Sequence, residues 1–169
     1  MKKALFLLAS LLAASCVITP QPQAAESTNR WFTCNLPVGW TQIVPAPGTP
    51  TNVRHPLMSL TNPHTGAVII GDAFDAGDYT LEAVAADVYA KTNKQGVLCT
   101  PITDSVNRSI FKITFYRDTG EIWSGRVVIM RLPGTTPNIV FIAQGFWPDG
   151  YSIESAIDFN TIISSAAIK

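Results

Sequence analysis

The stretch FKITFYRDTGEIWSGRVVIMRLPGTTPNIVFIAQGFW, residues 111–147, decides the fold class of this chain. It contains three apolar runs, separated by turn residues at 118–120 and by a segment with Pro and Gly at 133–138. The first run alternates apolar and polar side chains, which is the pattern of a strand with one buried face. Connections this short cannot carry a parallel crossover, so the strands must pair mainly antiparallel.

Two of these strands need cover on both faces, because residues 127–130 and 139–143 are apolar without alternation. Two helices are predicted to provide that cover. Apolar residues follow helical spacing from Leu81 to about Lys94, behind a capping hydroxyl at Thr80. A closing helix with further apolar positions begins near Ser152.

Further strands are predicted before the first helix and directly after it. A strand pair surrounds a turn at 37–39, a hairpin spans 57–61 and 67–74, and another strand-like run covers 97–103. The element order is several strands, a helix, four more strands and a closing helix. This order predicts an α+β fold, with a mainly antiparallel sheet of six to seven strands packed by two helices in an α/β/α sandwich.

The chain begins with two lysines, an apolar run over residues 4–14, and Ser15 followed at once by Cys16. These are the dimensions of a secretory signal, and the apolar run is shorter than the roughly 20 residues of a membrane-spanning helix. The segment ending at Cys16 resembles a bacterial lipobox, in which the cysteine is acylated and becomes the mature N-terminus. The alternative is ordinary signal peptidase, cutting after Ser15 or after Ala25.

The sequence divides into a signal peptide over residues 1–15, a flexible lipoprotein tether over 16–30, and a single globular domain over 31–169. The tether contains two prolines, two glutamines and the polar run Ser27, Thr28 and Asn29, and it has no apolar periodicity. We expect the domain to be lipid-anchored and to face the periplasm. The outer membrane is favoured, because Val17 stands where an aspartate commonly retains lipoproteins at the inner membrane.

Three cysteines are an odd number for an exported chain and would leave one reactive thiol unexplained. If Cys16 carries lipid, Cys34 and Cys99 remain as one pair in an oxidising compartment, and we predict a disulfide between them. The alternative is two buried thiols. A catalytic thiol is disfavoured, because neither cysteine stands in a redox or protease motif.

The segment before the first predicted loop carries a family resemblance. Leu36, Pro37, Gly39 and Trp40, preceded by two aromatic residues, resemble the opening Leu-Pro-x-Gly-Trp segment of PsbP-like domains, and residues 159–165 resemble their closing helix. The DcrB-like envelope lipoproteins of this superfamily match the predicted compartment. The resemblance implies a binding scaffold without a shared active site, so no functional residue is transferred from the family.

Several classes of function find no support in the residues. With 12 basic and 12 acidic residues and no basic run, the chain is not expected to bind nucleic acid. Its two histidines, His55 and His64, stand beside prolines, and no hydrolase elbow, zinc-protease or phosphate-loop motif is present. Asp72, Asp75 and Asp78 lack the ligand spacing of a calcium loop. We predict no catalytic residue, no metal and no cofactor.

Residues 77–82 and 149–154 match each other, since each segment has an aromatic residue, a hydroxyl and a glutamate at a strand-to-helix junction. The favoured interpretation is repeated helix capping. The functional alternative is that Tyr79, Trp147 and Tyr151 gather at one end of the sheet as an aromatic binding rim.

The combined prediction is a non-enzymatic bacterial envelope lipoprotein that acts as a protein-binding or accessory module. Its expected partners are the membrane, through the lipid on Cys16, and another envelope protein. One alternative is a carrier of a small ligand or lipid held between helix and sheet. The other is a periplasmic hydrolase or an inhibitor of one.

Overall fold

The computed structural model describes residues 16–18, 25–28, 32–45, 58–94, 97–105, 107–131 and 139–168. Within these ranges the strands are β1 (Cys16–Ile18), β2 (Ala25–Thr28), β3 (Phe32–Leu36), β4 (Thr41–Pro45), β5 (Met58–Asn62), β6 (Ala67–Asp75), β7 (Leu98–Ser105), β8 (Arg108–Tyr116), β9 (Ile122–Met130), β10 (Ile139–Pro148) and β11 (Ala167–Ile168). The helices are α1 (Leu81–Lys94) and α2 (Ser152–Ser164), and a 3₁₀ turn (Asp149–Tyr151) precedes α2.

The main sheet is antiparallel throughout, in the order β4-β5-β6-β10-β9-β8-β7, with β1 beside β4 at one edge. A second sheet has the order β11-β3-β2. Gly66 and Gly120 take positive φ angles of 73° and 81° in the turns that join β5 to β6 and β8 to β9. The predicted α+β fold is confirmed, because the seven strands β4 to β10 all come from the predicted domain.

The two helices cover opposite faces of the main sheet, and each face has its own core. Val127 and Ile129 belong to the core under α1, while Val128 and Met130 belong to the core under α2. This explains why that part of β9 is apolar without alternation. We call the two sides of the sheet the α1 face and the α2 face. Within the described ranges, no helix has the length and hydropathy needed to cross a membrane.

One edge strand of the main sheet is β7, which lies beyond β8 in the strand order, and the other is β1. This strand contains the exposed Pro101, and its register with β8 shifts between Pro101 and Thr103. A proline removes one backbone donor from the edge, and a register shift bends the strand. The edge is therefore irregular at its centre.

Two parts of the predicted tether are paired with the domain. Cys16–Ile18 lies antiparallel to β4, and Ala25–Thr28 lies antiparallel to β3. These pairings differ from the flexible tether predicted for residues 16–30. Backbone hydrogen bonds between strands require no apolar side-chain periodicity, so the sequence pattern did not indicate them. Residues 1–15, the predicted signal peptide, lie outside the described residues.

The predicted disulfide between Cys34 and Cys99 is absent from the structure. Both side chains are buried, but Cys34 belongs to the core on the α2 face and Cys99 to the core on the α1 face. A disulfide needs Cα atoms within about 7 Å, and here the sheet separates the two residues. Burial also raises the pKa of the Cys99 thiol, which disfavours the reactive thiolate.

Candidate functional site

The main helix contacts leave the α2 face of β7 and β8 uncovered, as they also leave the α1 face of β5 and β6. Helix α1 packs on β7, β8 and β9, whereas the main contacts of α2 are with β3, β9 and β10. The burial of β8 follows this difference. Its residues Phe111 and Ile113 are buried under α1, but Lys112 between them points to the other face and is exposed.

We call this open surface the β7–β8 shelf and define it by five residues that lie on the α2 face of three neighbouring strands. They are Leu98 and Thr100 on β7, Lys112 and Thr114 on β8, and Arg126 on β9. Leu98, Thr100 and Lys112 are exposed, while Thr114 and Arg126 are half-buried. The shelf therefore combines accessible cations, hydroxyls and an aliphatic side chain.

The two cations of the shelf stand directly opposite each other. Lys112 pairs with Arg126 across β8 and β9, and the same row continues through Gly145 on β10 to the core beneath α2. Like charges at directly opposite positions of an antiparallel pair are destabilising. This pair of charges is therefore expected to lower the stability of the β8–β9 hairpin.

Arg126 contacts the first half of helix α2. Its Nη1 donates a hydrogen bond of 3.5 Å to the carbonyl oxygen of Ala156, whose side chain packs on the core. Burial, and secondarily the charge of Arg108, lower the pKa of Arg126. The charged guanidinium is therefore disfavoured where it stands, although it remains protonated at neutral pH.

Exposed aliphatic side chains occur on helix α2 and on the shelf itself. On α2, Ile153 is 80% exposed and Ile157 is 61% exposed, one helical turn apart and on either side of Ala156 in sequence. On β7, Leu98 is 66% exposed. Single exposed aliphatic residues are common, and of these three only Leu98 lies on the same sheet face as the two cations. The arrangement can accept a partner that offers both negative charge and apolar surface.

Sequence reasoning missed Lys112 and Arg126, although a signal for their pairing was available. The predicted turn at residues 118–120 centres the hairpin on Thr119, and positions equally distant from the centre of a regular hairpin pair with each other. Lys112 and Arg126 are such positions. The composition hid them, because neither belongs to a run of basic residues.

The predicted aromatic rim of Tyr79, Trp147 and Tyr151 is wrong. Trp147 is only 2% exposed and packs against Phe159, with 5.9 Å between ring centroids. Tyr79 and Tyr151 lie at opposite ends of the sheet, because they follow β6 and β10, which are antiparallel. The two matching segments follow strands that run in opposite directions, so their tyrosines lie at opposite ends of the sheet.

The helix starts also differ from the repeated capping that the match predicted. Thr80 does cap α1, since its Oγ1 accepts a hydrogen bond of 3.2 Å from the backbone N–H of Ala83. At α2 the capping position is Tyr151, which makes no side-chain capping bond, and Ser152 is the first residue of the helix. A turn of 3₁₀ helix replaces the side-chain cap there.

The residues that carried the family resemblance have a structural role. Trp40 is buried, and its Nε1 donates a hydrogen bond of 2.7 Å to Oδ2 of Asp158 on α2. The Leu-Pro-x-Gly-Trp segment thus fastens the closing helix to the start of the domain. None of the side chains of this segment belongs to the β7–β8 shelf.

The other side chains considered for catalysis or metal binding lie apart from one another in the described part of the chain. The exposed His64 contacts the ring of Tyr151 edge to face at 6.2 Å, and His55 lies outside the described residues. Oδ1 of Asp75 accepts a hydrogen bond from the backbone N–H of Gly77. Among the described residues, no three His, Cys, Asp or Glu side chains are placed to hold one metal ion.

The space predicted for a carried ligand, between helix and sheet, is filled on the α2 face by described side chains. A Cβ atom at Gly145 would lie 2.5 Å from Cδ2 of Phe159. A depression of about 560 Å³ does occur at the start of α2, but it is an open surface feature lined by residues 149–154, Ile157 and Asp158. The carrier alternative therefore gains no enclosed site in this layer.

No protein-family model and no curated sequence matches this chain. Three solved structures resemble it in fold. LpqN, involved in cell envelope biogenesis of Mycobacterium tuberculosis, is 13% identical with a TM-score of 0.56, over 96% of each chain. The Ran-binding protein Mog1p of Saccharomyces cerevisiae is 12% identical with a TM-score of 0.57, over 88% of this chain and 96% of its own. The cyanobacterial PsbP of Synechocystis is 11% identical with a TM-score of 0.51, over 94% of this chain and 99% of its own.

Identities of 11–13% establish the fold and nothing finer. The domain has a PsbP-like fold, as its opening segment and closing helix predicted.

Proposed function

We propose, on the premise of this PsbP-like fold, that the chain is a non-enzymatic envelope lipoprotein that binds another envelope protein through the β7–β8 shelf. The observation that carries the proposal is the directly opposed Lys112 and Arg126, on an open sheet face that also exposes Leu98. Stable domains avoid opposed like charges beside exposed aliphatic side chains, and such departures from folding rules are expected at functional surfaces.

Two of the similar structures support the accessory part of the proposal. LpqN takes part in cell envelope biogenesis, and Mog1p is a Ran-binding protein. One protein therefore fits the predicted compartment, and the other uses the same fold in binding a protein. Neither identifies the partner of this chain, which has to be found by experiment.

The shelf is tested by site-specific photo-crosslinking in the native bacterium. With p-benzoylphenylalanine at Leu98, we expect one discrete adduct with an envelope protein, because this side chain belongs to the shelf and is exposed. Tyr79 is the matched control, since it is also exposed but lies at the far end of the sheet. The absence of a discrete adduct at Leu98, or the same adducts at both positions, would refute a binding role for the shelf.

The proposed anchor is a lipid on Cys16, with the domain facing the periplasm and the outer membrane favoured. We expect Cys16→Ala to lose incorporation of radiolabelled palmitate and to leave the membrane fraction, because the acylated side chain is missing. Val17→Asp is the companion variant: it should keep the label and move the protein to the inner membrane in a cell with two membranes. Continued labelling of Cys16→Ala would contradict the anchor.

A further inference from the structure

We infer, on the premise of the proposed lipid at Cys16, that one end of the main sheet lies directly against a zwitterionic lipid surface. The turn between β6 and α1 contacts the headgroups there. We call this end of the sheet the Cys16 end. It is formed by the last residues of β4 and β6 and the first residues of β5 and β10, which are Pro45, Asp75, Met58 and Ile139.

The attachment point of the proposed lipid is part of the sheet. Cys16 is the first residue of β1 and pairs with Pro45, the last residue of β4. A lipid on Cys16 therefore starts beside the end of a strand, with no length of free chain between the lipid and the domain. Because the acyl chains enter the bilayer, the membrane surface has to pass close to this corner of the sheet.

Strand β6 projects beyond the lipid-bearing residue at the same end. Gln42 of β4 is level with Ile69 of β6, because both pair with the same residue of β5. Three residues further along each strand, Pro45 is therefore level with Asp72. Strand β6 continues past this level for about 10 Å, at roughly 3.3 Å per residue. A bilayer that holds the lipid consequently meets the β6–α1 turn.

The side chains of this turn suit the boundary between water and lipid. Tyr79 is 71% exposed, and Phe74 near the end of β6 is 37% exposed. The backbone N–H of Tyr79 donates a hydrogen bond of 3.1 Å to the carbonyl oxygen of Ala76, so the tyrosine stands on an ordered turn. Tyrosine favours membrane–water interfaces, because its ring is apolar and its hydroxyl is polar. The projecting part of the Cys16 end thus carries an interfacial side chain.

The charges at the Cys16 end are of both signs. Asp75 and Asp78 are exposed beside the turn, while Arg108 at the start of β8 and Arg131 just after β9 are half-buried. The two exposed acids would be repelled by a strongly anionic membrane surface. A zwitterionic headgroup such as phosphatidylethanolamine offers an ammonium group to the acids and a phosphate to the arginines. The charges therefore favour a zwitterionic surface.

This orientation leaves the β7–β8 shelf accessible to a partner protein. Leu98 pairs with Thr114, two residues before β8 ends at Tyr116. Strands β6 and β8 run in opposite directions, so the end of β8 lies at the other end of the sheet from the Cys16 end. Leu98 consequently stands on the side of the domain that is remote from the bilayer.

The orientation is tested with lipidated protein in vesicles of phosphatidylethanolamine and phosphatidylcholine that carry a nitroxide quencher on the headgroup. Bimane is attached to Tyr79→Cys or, as the matched control, to Tyr116→Cys, since these tyrosines are 71% and 70% exposed. The label reacts at the introduced thiol, because Cys34 and Cys99 are buried. We expect quenching to be about threefold or more stronger at Tyr79→Cys, because strands about 30 Å long separate the two ends. Equal quenching, or stronger quenching at Tyr116→Cys, would overturn the inference.

Two insertions of the same flexible segment test whether β1 holds the domain in place. Ten Gly and Ser residues between Cys16 and Val17 separate the lipid from β1 by a chain with a root-mean-square length of about 17 Å. Quenching at Tyr79→Cys should then fall toward the value at Tyr116→Cys. The same insertion after Ile18 leaves the lipid beside β4 and should leave the quenching unchanged. An equal effect of the two insertions would contradict the role of β1.

Failure of the inference can be told from failure of the proposed anchor. Incorporation of palmitate, and its loss in Cys16→Ala, tests the lipid alone. If the protein takes up palmitate but the probes at the two ends are quenched equally, the anchor stands and the orientation is wrong. If the protein takes up no palmitate, the anchor and the orientation both fail.

Discussion

Replacing Gly145 with valine is expected to abolish folding of the domain. A Cβ at this position would lie 2.5 Å from Cδ2 of Phe159 and 2.8 Å from Cζ3 of Trp147. Both aromatic side chains are buried in the core beneath α2, so neither can move away cheaply. Overpacking by one methyl costs about 1–3 kcal/mol, and valine adds two more carbons to a site with no room for the first.

The expected loss for Gly145→Val is therefore a large share of the roughly 5–15 kcal/mol that stabilises an ordinary domain. Urea unfolding followed by circular dichroism measures it, with Gly145→Ala as the intermediate case. Gly150→Ala is the matched control, because nothing lies within 4 Å of its added Cβ, and it should change stability by less than about 0.5 kcal/mol. An unchanged urea midpoint for Gly145→Val would mean that α2 does not pack on β10 as described.

Truncation of Trp40 is expected to be the second large effect. Trp40→Ala should cost about 3–5 kcal/mol, because the indole is fully buried between β4 and α2 and its removal leaves a cavity. It also leaves Asp158 without its indole donor, which was 2.7 Å away. Helix α2 would then lose its tie to the opening segment of the domain.

A comparison of two tryptophans isolates the hydrogen bond. Trp40 and Trp147 are both buried in the α2-face core, but Nε1 of Trp147 has no hydrogen-bond partner among the described residues. Phenylalanine at either position removes a similar volume. Trp40→Phe should therefore cost about 1.5–3 kcal/mol more than Trp147→Phe, the range for a hydrogen bond to a charged group. Equal losses in urea unfolding would show that the Trp40–Asp158 bond adds nothing.

The sheet and helices were predictable because their signals are local. Alternation and short turns within residues 111–147 dictate antiparallel hairpins, and the apolar spacing from Leu81 to Lys94 dictates a helix. The candidate site depends on long-range geometry. Whether Cys34 meets Cys99, or Tyr79 meets Tyr151, is decided by sheet face and strand direction, which nearby residues do not encode. Lys112 and Arg126 form the intermediate case, since a single hairpin relates them.

The irregular edge strand β7 affects whether two copies of this protein can pair their sheets. A long regular edge would let neighbouring copies join their sheets, but β7 carries Pro101 and a shifted register at its centre, and β1 occupies the opposite edge. The missing donor and the shifted register of β7 therefore disfavour edge-to-edge pairing of two copies through this strand.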